Sequence, residues 1–176
     1  MREILKLGGK LLLIAVVAGL ALGVTNEVTQ GPIAEQALLS ADTARREVLF
    51  AADTFEEVEE GIYRGTDAAG QTVGFVTTVA ENGYGGEIEV TVGIGMDGVI
   101  TGVSVGGEDF SETAGLGARV KEEAFRAQFA GLTAPVALTK DGGQVDAVTS
   151  ATISSTAVKN AVNRACELLT PYAERG

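Results

Sequence analysis

The 176 residues suffice for one compact domain and little more, and they carry 13 Lys plus Arg against 24 Asp plus Glu, a formal charge of −11, with no histidine. A chain this acidic lacks the basic surface that general nucleic-acid binding requires. The missing imidazoles exclude Ser-His-Asp and Cys-His catalysis and histidine metal sites, and the single cysteine, Cys166, leaves no internal disulfide and none of the usual zinc spacings.

From Ile4 to Val24 the chain is apolar apart from Lys6 and Lys10, with an uninterrupted core from Leu11 to Val24. Counted from Ile4, with the lysines reaching back to the interface, it attains the roughly 20 residues that cross a bilayer. Residues 1–26 are therefore predicted to be a transmembrane anchor. Arg2, Lys6 and Lys10 precede the core whereas Glu27 and Glu35 follow it, so the positive-inside rule predicts a single-pass protein of the inner or plasma membrane with a cytoplasmic N-terminus and an extracytoplasmic domain. A cleaved signal peptide is the competing reading, with Ala21-Leu-Gly23 as the small-residue cleavage site. Against it, the apolar run passes into Thr25-Asn-Glu27 without a clear cleavage signature, and no cysteine follows to make a lipoprotein. Beyond Val24 the charges are ten basic against twenty-three acidic, which argues against lying flat on anionic lipid.

Residues 27–60 read as a connecting helical segment. Ile33, Ala37, Ala41, Ala44, Val48 and Ala51 or Ala52 recur at three or four residues, and Glu56-Glu57-Val-Glu-Glu60 reads as a solvated edge. Residues 61–176 then form the domain, predicted as α+β with a mainly antiparallel sheet and packed helices. Thr72–Ala80, Glu87–Ile94 and Val99–Val105 are β-branched runs, with an Asp97-Gly98 hairpin turn between the last two. Ile88, Val90, Val92 and Ile94 alternate with Glu89, Thr91 and Gly93, which predicts one buried face. The long glycine-rich stretch Gly106–Gly117 is a loop of the kind that carries function. An amphipathic helix from Lys121 to Phe129, a short strand over Pro135–Thr139 and a turn at Lys140–Gln144 follow. The last helix places Val158, Ala161, Val162, Ala165 and Leu169 on one face, with Cys166 beside them as a buried small hydrophobe and Pro171 after the last apolar position.

That helix is entered through Asp146-Ala-Val-Thr-Ser-Ala-Thr-Ile-Ser-Ser155, which crowds five hydroxyls around a helix start. Unpaired amides and the positive end of the helix dipole make such a start an anion site, although Ser and Thr are also ordinary N-caps with no ligand at all. The segment resembles the Asp-x-x-Ser/Thr-Gly/Ser-Ala-Thr-x-Ser/Thr pattern of the FMN-binding domain, found in the G subunit of Rnf complexes and in the C subunit of the sodium-translocating NADH:quinone reductase. The resemblance extends to Gly83-Tyr-Gly-Gly86 and to Glu112-Thr-Ala-Gly-Leu-Gly117, and the order and approximate separation of the motifs match. Ser150 stands where glycine is more usual, and Phe110 where many members carry His.

The resemblance implies FMN bound covalently through its phosphate to Thr152. It implies Asp146 and Thr149 as upstream recognition positions and a dedicated Mg-dependent flavin transferase that uses FAD; the residues themselves point to no resident metal. Thr149, Ser150, Ala151 and Ile153 would surround the phosphate, while Glu112, Thr113, Gly115 and Leu116 would border the isoalloxazine. The expected role is an electron-carrying subunit of an Rnf-type ferredoxin:NAD oxidoreductase coupled to ion translocation, working with membrane and peripheral subunits and turning over no substrate alone. Neither a nucleotide site nor ferredoxin-type cluster ligands are legible in the chain. Two alternatives stand beside this one: a non-redox anchored assembly or binding subunit, and the C subunit of the quinone reductase, whose chains are longer. A Ser or Thr hydrolase lacks both a histidine base and a Gly-x-Ser-x-Gly elbow.

Overall fold

The β-branched runs between residues 54 and 106 form five antiparallel strands, and each pairs with its sequence neighbour because every connection is a short turn. The computed structural model describes residues 2–107 and 109–175. The chain divides into two units, Met1–Ala41 and Asp42–Gly176. In chain order the elements are α1 (Arg2–Val48), β1 (Thr54–Glu59), β2 (Ile62–Thr66), β3 (Thr72–Asn82), β4 (Glu87–Gly95), β5 (Ile100–Gly106), the short α2 (Glu123–Arg126) and α3 (Thr152–Ala173), with single 3-10 turns at Gly117–Lys121, Ala127–Phe129 and Thr139–Asp141.

The first unit is helical throughout its described residues. It contains the one described stretch long and apolar enough to cross a membrane, with mean hydropathy 2.2 and none of it buried. Leu11, Leu12, Leu13, Ile14, Val17 and Leu20 are each more than half exposed, as a lipid-facing surface would be.

In the second unit the sheet order is β1-β2-β3-β4-β5. Ile88, Val90, Val92 and Ile94 of β4 are fully buried and share a core with Ala157, Val158, Ala161, Val162, Ala165 and Leu169 of α3. The helical spacing of those α3 residues is what lets one face cover the sheet. The expectation of a single buried face needs correction, because Thr91 is only 7 % exposed and Gly93 is also buried. The opposite face is covered at its middle by the end of α1. Leu49 seats over the cross-strand pair Gly65 and Gly74, and Val48 over the pair Gly93 and Gly102. A Cβ on Gly93 would lie 2.6 Å from the Val48 carbonyl oxygen, so glycine is required there for the backbones to meet. Thr101 Oγ1 donates to that oxygen at 2.5 Å. Arg126 Nη1 reaches Glu47 at 2.6 Å while Ser104 donates to the other Glu47 oxygen at 2.8 Å. Burial pushes the Glu47 carboxyl up, but these two hydrogen bonds outweigh it and hold the group below its ordinary value.

Four further readings change. Helix α1 stops at Val48, and Thr54–Glu59 pair as the edge strand β1, so the helical pattern of residues 33–60 holds only for its first part. Lys121–Phe129 is broken into a 3-10 turn, one turn of α-helix and a second 3-10 turn. Pro135–Thr139 forms no strand, only an isolated parallel bridge between Leu138 and Val145. Pro171 lies inside α3, which continues to Ala173.

Candidate functional site

The turn before α3 is closed by one hydroxyl that bonds to the local backbone on both sides. Ser155 Oγ accepts from the Val148 amide at 3.0 Å and donates to the Ala151 carbonyl at 3.0 Å, and the Ala151 amide closes on the Val148 carbonyl at 3.0 Å. This compact turn requires a left-handed residue at position 150, where Ser150 has φ 62°. A position with φ in that range favours glycine, which gives a physical reason for the family's usual residue there.

The five hydroxyls of the entry therefore separate into two groups. Ser154 and Ser155 are buried and engaged, whereas Thr149, Ser150 and Thr152 are exposed. The first intrahelical bond of α3 runs from the Ser155 amide to the Ala151 carbonyl, which leaves the amides of Thr152, Ile153 and Ser154 with no acceptor among the described residues. Ala151 turns its methyl inward at 6 % exposure, so it offers a ligand only backbone, while Ile153 projects outward at 55 %. Asp146 keeps its carboxylate exposed while its backbone is gripped by Gln128, whose Oε1 accepts from the Asp146 amide at 2.7 Å and whose Nε2 donates to its carbonyl at 3.3 Å.

Glu112 connects this helix start to two loops. Its Oε1 accepts from the amides of Tyr84 at 2.7 Å and Gly85 at 3.2 Å, and its Oε2 accepts from Ser154 Oγ at 2.8 Å. Glycines at positions 83 and 117 make room for the carboxylate, since a Cβ at either would lie 2.2 or 2.0 Å from one of its oxygens. Thus Glu112, expected to border a ligand, has its charge directed into the protein as a tie between three segments. The groups those segments turn outward are Tyr84, Leu116 and Ile153, exposed by 73, 43 and 55 %. Thr113 caps its own turn, its carbonyl accepting from the amides of Leu116 and Ala118, and Gly115 takes φ 76° within it. Phe110 packs on the core and carries the Lys121 ammonium 4.3 Å above its ring.

Beside the helix start lies an open depression of about 240 Å³, lined by Asn82, Thr152, Ile153, Thr156, Ala157 and Asn160. Of these the motif singles out only Thr152 and Ile153. Thr156 and Asn160 repeat at four-residue spacing from Thr152 on the face opposite the apolar stripe, and Asn82 ends the strand before Gly83-Tyr-Gly-Gly86, which are the signals that mark them.

This geometry coincides with sequence kinship. The model of the FMN-binding domain matches residues 83–167, which include Tyr84, the Glu112 loop and the whole entry to α3. Over nearly its full length the chain is 38 % identical to the G subunit of the ion-translocating oxidoreductase complex of Methanosarcina acetivorans, covering 94 % of each chain. It is 36 % identical to the G subunit of the Na⁺-translocating ferredoxin:NAD⁺ oxidoreductase complex of Acetobacterium woodii, covering 95 % of this chain and 92 % of the relative. The chain belongs to this G-subunit family. The G subunit of the proton-translocating ferredoxin:NAD⁺ oxidoreductase complex of Clostridium ljungdahlii is 28 % identical over 89 % of this chain and 86 % of the relative, so relatives differ in the ion named. The fold is shared with the C subunit of the Na⁺-translocating NADH-quinone reductase from Parabacteroides distasonis, with a TM-score of 0.53 and 22 % identity over 64 % of this chain and 62 % of that one.

Proposed function

We propose that this chain is the FMN-bearing, electron-transferring subunit of an ion-translocating ferredoxin:NAD oxidoreductase, with the flavin joined to Thr152 Oγ1 through its phosphate. The observation that carries this reading is the Thr152 hydroxyl itself. It is exposed, has no hydrogen-bond partner among the described residues, and belongs to the first residue of a 22-residue helix whose first three amides are unused. A phosphodiester keeps one negative charge, which those amides and the helix dipole stabilise. Thr149 and Ser150 flank the phosphate with free hydroxyls, and Ala151 and Ile153 contribute backbone and an apolar side chain. Thr113, Gly115 and Leu116 border the ring, with Glu112 fixing their position from behind.

FMN, when bound, supplies reversible one- and two-electron chemistry. The residues hold it, exclude water from one side through Leu116 and Ile153, and set the local charge; an acidic domain disfavours the negative charge of reduction unless Lys121 or Arg119 offsets it. Attachment forms the bond from Thr152 Oγ1 to the FMN phosphorus of FAD and breaks the pyrophosphate bond. AMP leaves, and the hydroxyl proton passes to a base of the transferase, which recognises the exposed Asp146. In our reading residues 1–26 anchor the chain with its N-terminus in the cytoplasm, residues 27–60 connect, and the flavin domain lies on the far side of the membrane. Free FMN is scarce there, so a tether substitutes permanent effective concentration for affinity. Other subunits carry the nucleotide and ferredoxin sites, and the chain alone turns over no substrate. Expressed with a flavin transferase, it should fluoresce on a denaturing gel and Thr152→Ala should not; a fluorescent Thr152→Ala band refutes the assignment.

A further inference from the structure

Helix α3 carries five Ser and Thr side chains, and three are consumed inside the protein: Ser154 donates to Glu112, Ser155 to the Ala151 carbonyl and Thr170 to the Cys166 carbonyl. Thr152 and Thr156 have no hydrogen-bond partner among the described residues. A helical threonine commonly bonds the carbonyl four residues back, as Thr25 and Thr29 do in α1. Thr156 instead leaves its hydroxyl available on the face that lines the depression, one turn beyond Thr152 and one turn before Asn160. Across from them Asn82, at the end of β3 and just outside the matched family segment, keeps both ends of its amide without a partner among the described residues. Asn160 accepts from Lys159 at 2.6 Å and retains its amide hydrogens. The most buried of the lining residues is Ala157, 4 % exposed, which contributes only a methyl group.

A buried methyl among unpaired hydroxyl and amide groups suits a polyol, whose C–H edges lie on the methyl while its hydroxyls both donate and accept. At about 240 Å³ the space equals roughly eight waters, enough for a five-carbon chain. We propose that this depression is a polyol subsite, in which Asn82 and Thr156 bind the ribityl hydroxyls of the FMN carried by Thr152, with Asn160 at its end. This rests on the attachment to Thr152 proposed above. The covalent bond prevents loss of the flavin but leaves it free to swing about single bonds. The subsite fixes the ring's direction, and so the distance an electron must cover, through contacts that the tether alone does not provide.

The test uses the full chain in detergent, matured by co-expression with a flavin transferase, with intact mass and time-resolved fluorescence anisotropy of the flavin as paired readouts. Asn82→Leu and Thr156→Val keep side-chain size and remove hydrogen-bonding capacity. Each should retain the flavin mass increment and raise the ratio of freely rotating to held flavin by roughly fivefold per hydrogen bond removed, with Thr156→Ser restoring the held state. A fully flavinylated Asn82→Leu/Thr156→Val protein whose anisotropy decay equals that of the wild type overturns the subsite and leaves Thr152 standing. Wild-type protein without the increment on Thr152 overturns both. If the double variant is not flavinylated, the single variants and Thr156→Ser, read in the same way, decide the matter.

Discussion

Replacing Glu112 by alanine removes three hydrogen bonds at once, from the amides of Tyr84 and Gly85 and from Ser154 Oγ, and unties the Gly83–Gly86 loop from the head of α3. A hydrogen bond to a charged acceptor contributes about 1.5–3 kcal/mol, and a half-buried carboxylate falls at the lower end, so three amount to about 4.5 kcal/mol. Tyr84 and Gly85 are exposed, so water re-solvates their freed amides and reduces the net loss to about 2–3 kcal/mol. The loss is local to the loop, and hydrogen exchange at these two amides reads it directly. Exchange should accelerate between roughly 30- and 150-fold at Tyr84 and Gly85 and remain unchanged at Val90 and Val92 in the sheet core. Glu112→Gln should recover most of the protection, because one carbonyl oxygen still serves both amides and the new NH₂ meets the Ser154 hydroxyl. Unchanged protection of Tyr84 and Gly85 in Glu112→Ala would refute the tie.

Other substitutions test other joints. Ser150→Gly relieves a left-handed serine at a cost in unfolded-chain entropy, so it should raise stability by about 0.5–1 kcal/mol in thermal denaturation while keeping flavin on Thr152; destabilisation would contradict the φ of 62°. Gly93→Ala drives a Cβ to within 2.6 Å of the Val48 carbonyl oxygen and should cost about 2–3 kcal/mol in urea unfolding. Gly106→Ala, where a Cβ meets nothing within 4 Å, should stay within about 0.5 kcal/mol and serves as the control. Cys166 is 2 % exposed, and burial followed by the neighbouring Glu167 pushes its thiol up to about 11, so a disulfide reagent at pH 8 should label it only after denaturation. Stoichiometric labelling of the folded chain would show that α3 is not packed as described.

How much could be read in advance depended on whether the cause was local. The α3 stripe and the alternation of β4 are periodic consequences of facing one core, so they were legible in the residues themselves. The end of α1 was not. Ala51 and Ala52 continue its helical spacing, and the stop at Val48 coincides with distant partners, Thr101 and the glycine pair Gly93 and Gly102, more than forty residues along the chain. Strand β1 was hidden for a related reason: Glu56, Glu57 and Glu59 lie on an exposed edge where no apolar alternation is needed, and pairing with β2 alone defines it. Within the site, motif and spacing singled out Thr152, Glu112 and their neighbours. The inward direction of Glu112, the burial of Ser154 and Ser155, and the convergence of Asn82 with Thr156 and Asn160 depend on loops meeting in three dimensions, which no one-dimensional pattern encodes.

The central claim is a covalent flavin on one hydroxyl, and fragment-ion mass spectrometry of the C-terminal peptide spanning Asp146 to Ser155 tests it most directly. Prepared from chain matured with a flavin transferase, that peptide should carry one FMN increment located on Thr152. An unmodified peptide, or an increment on Thr149, Ser150 or Ser155, would contradict the account.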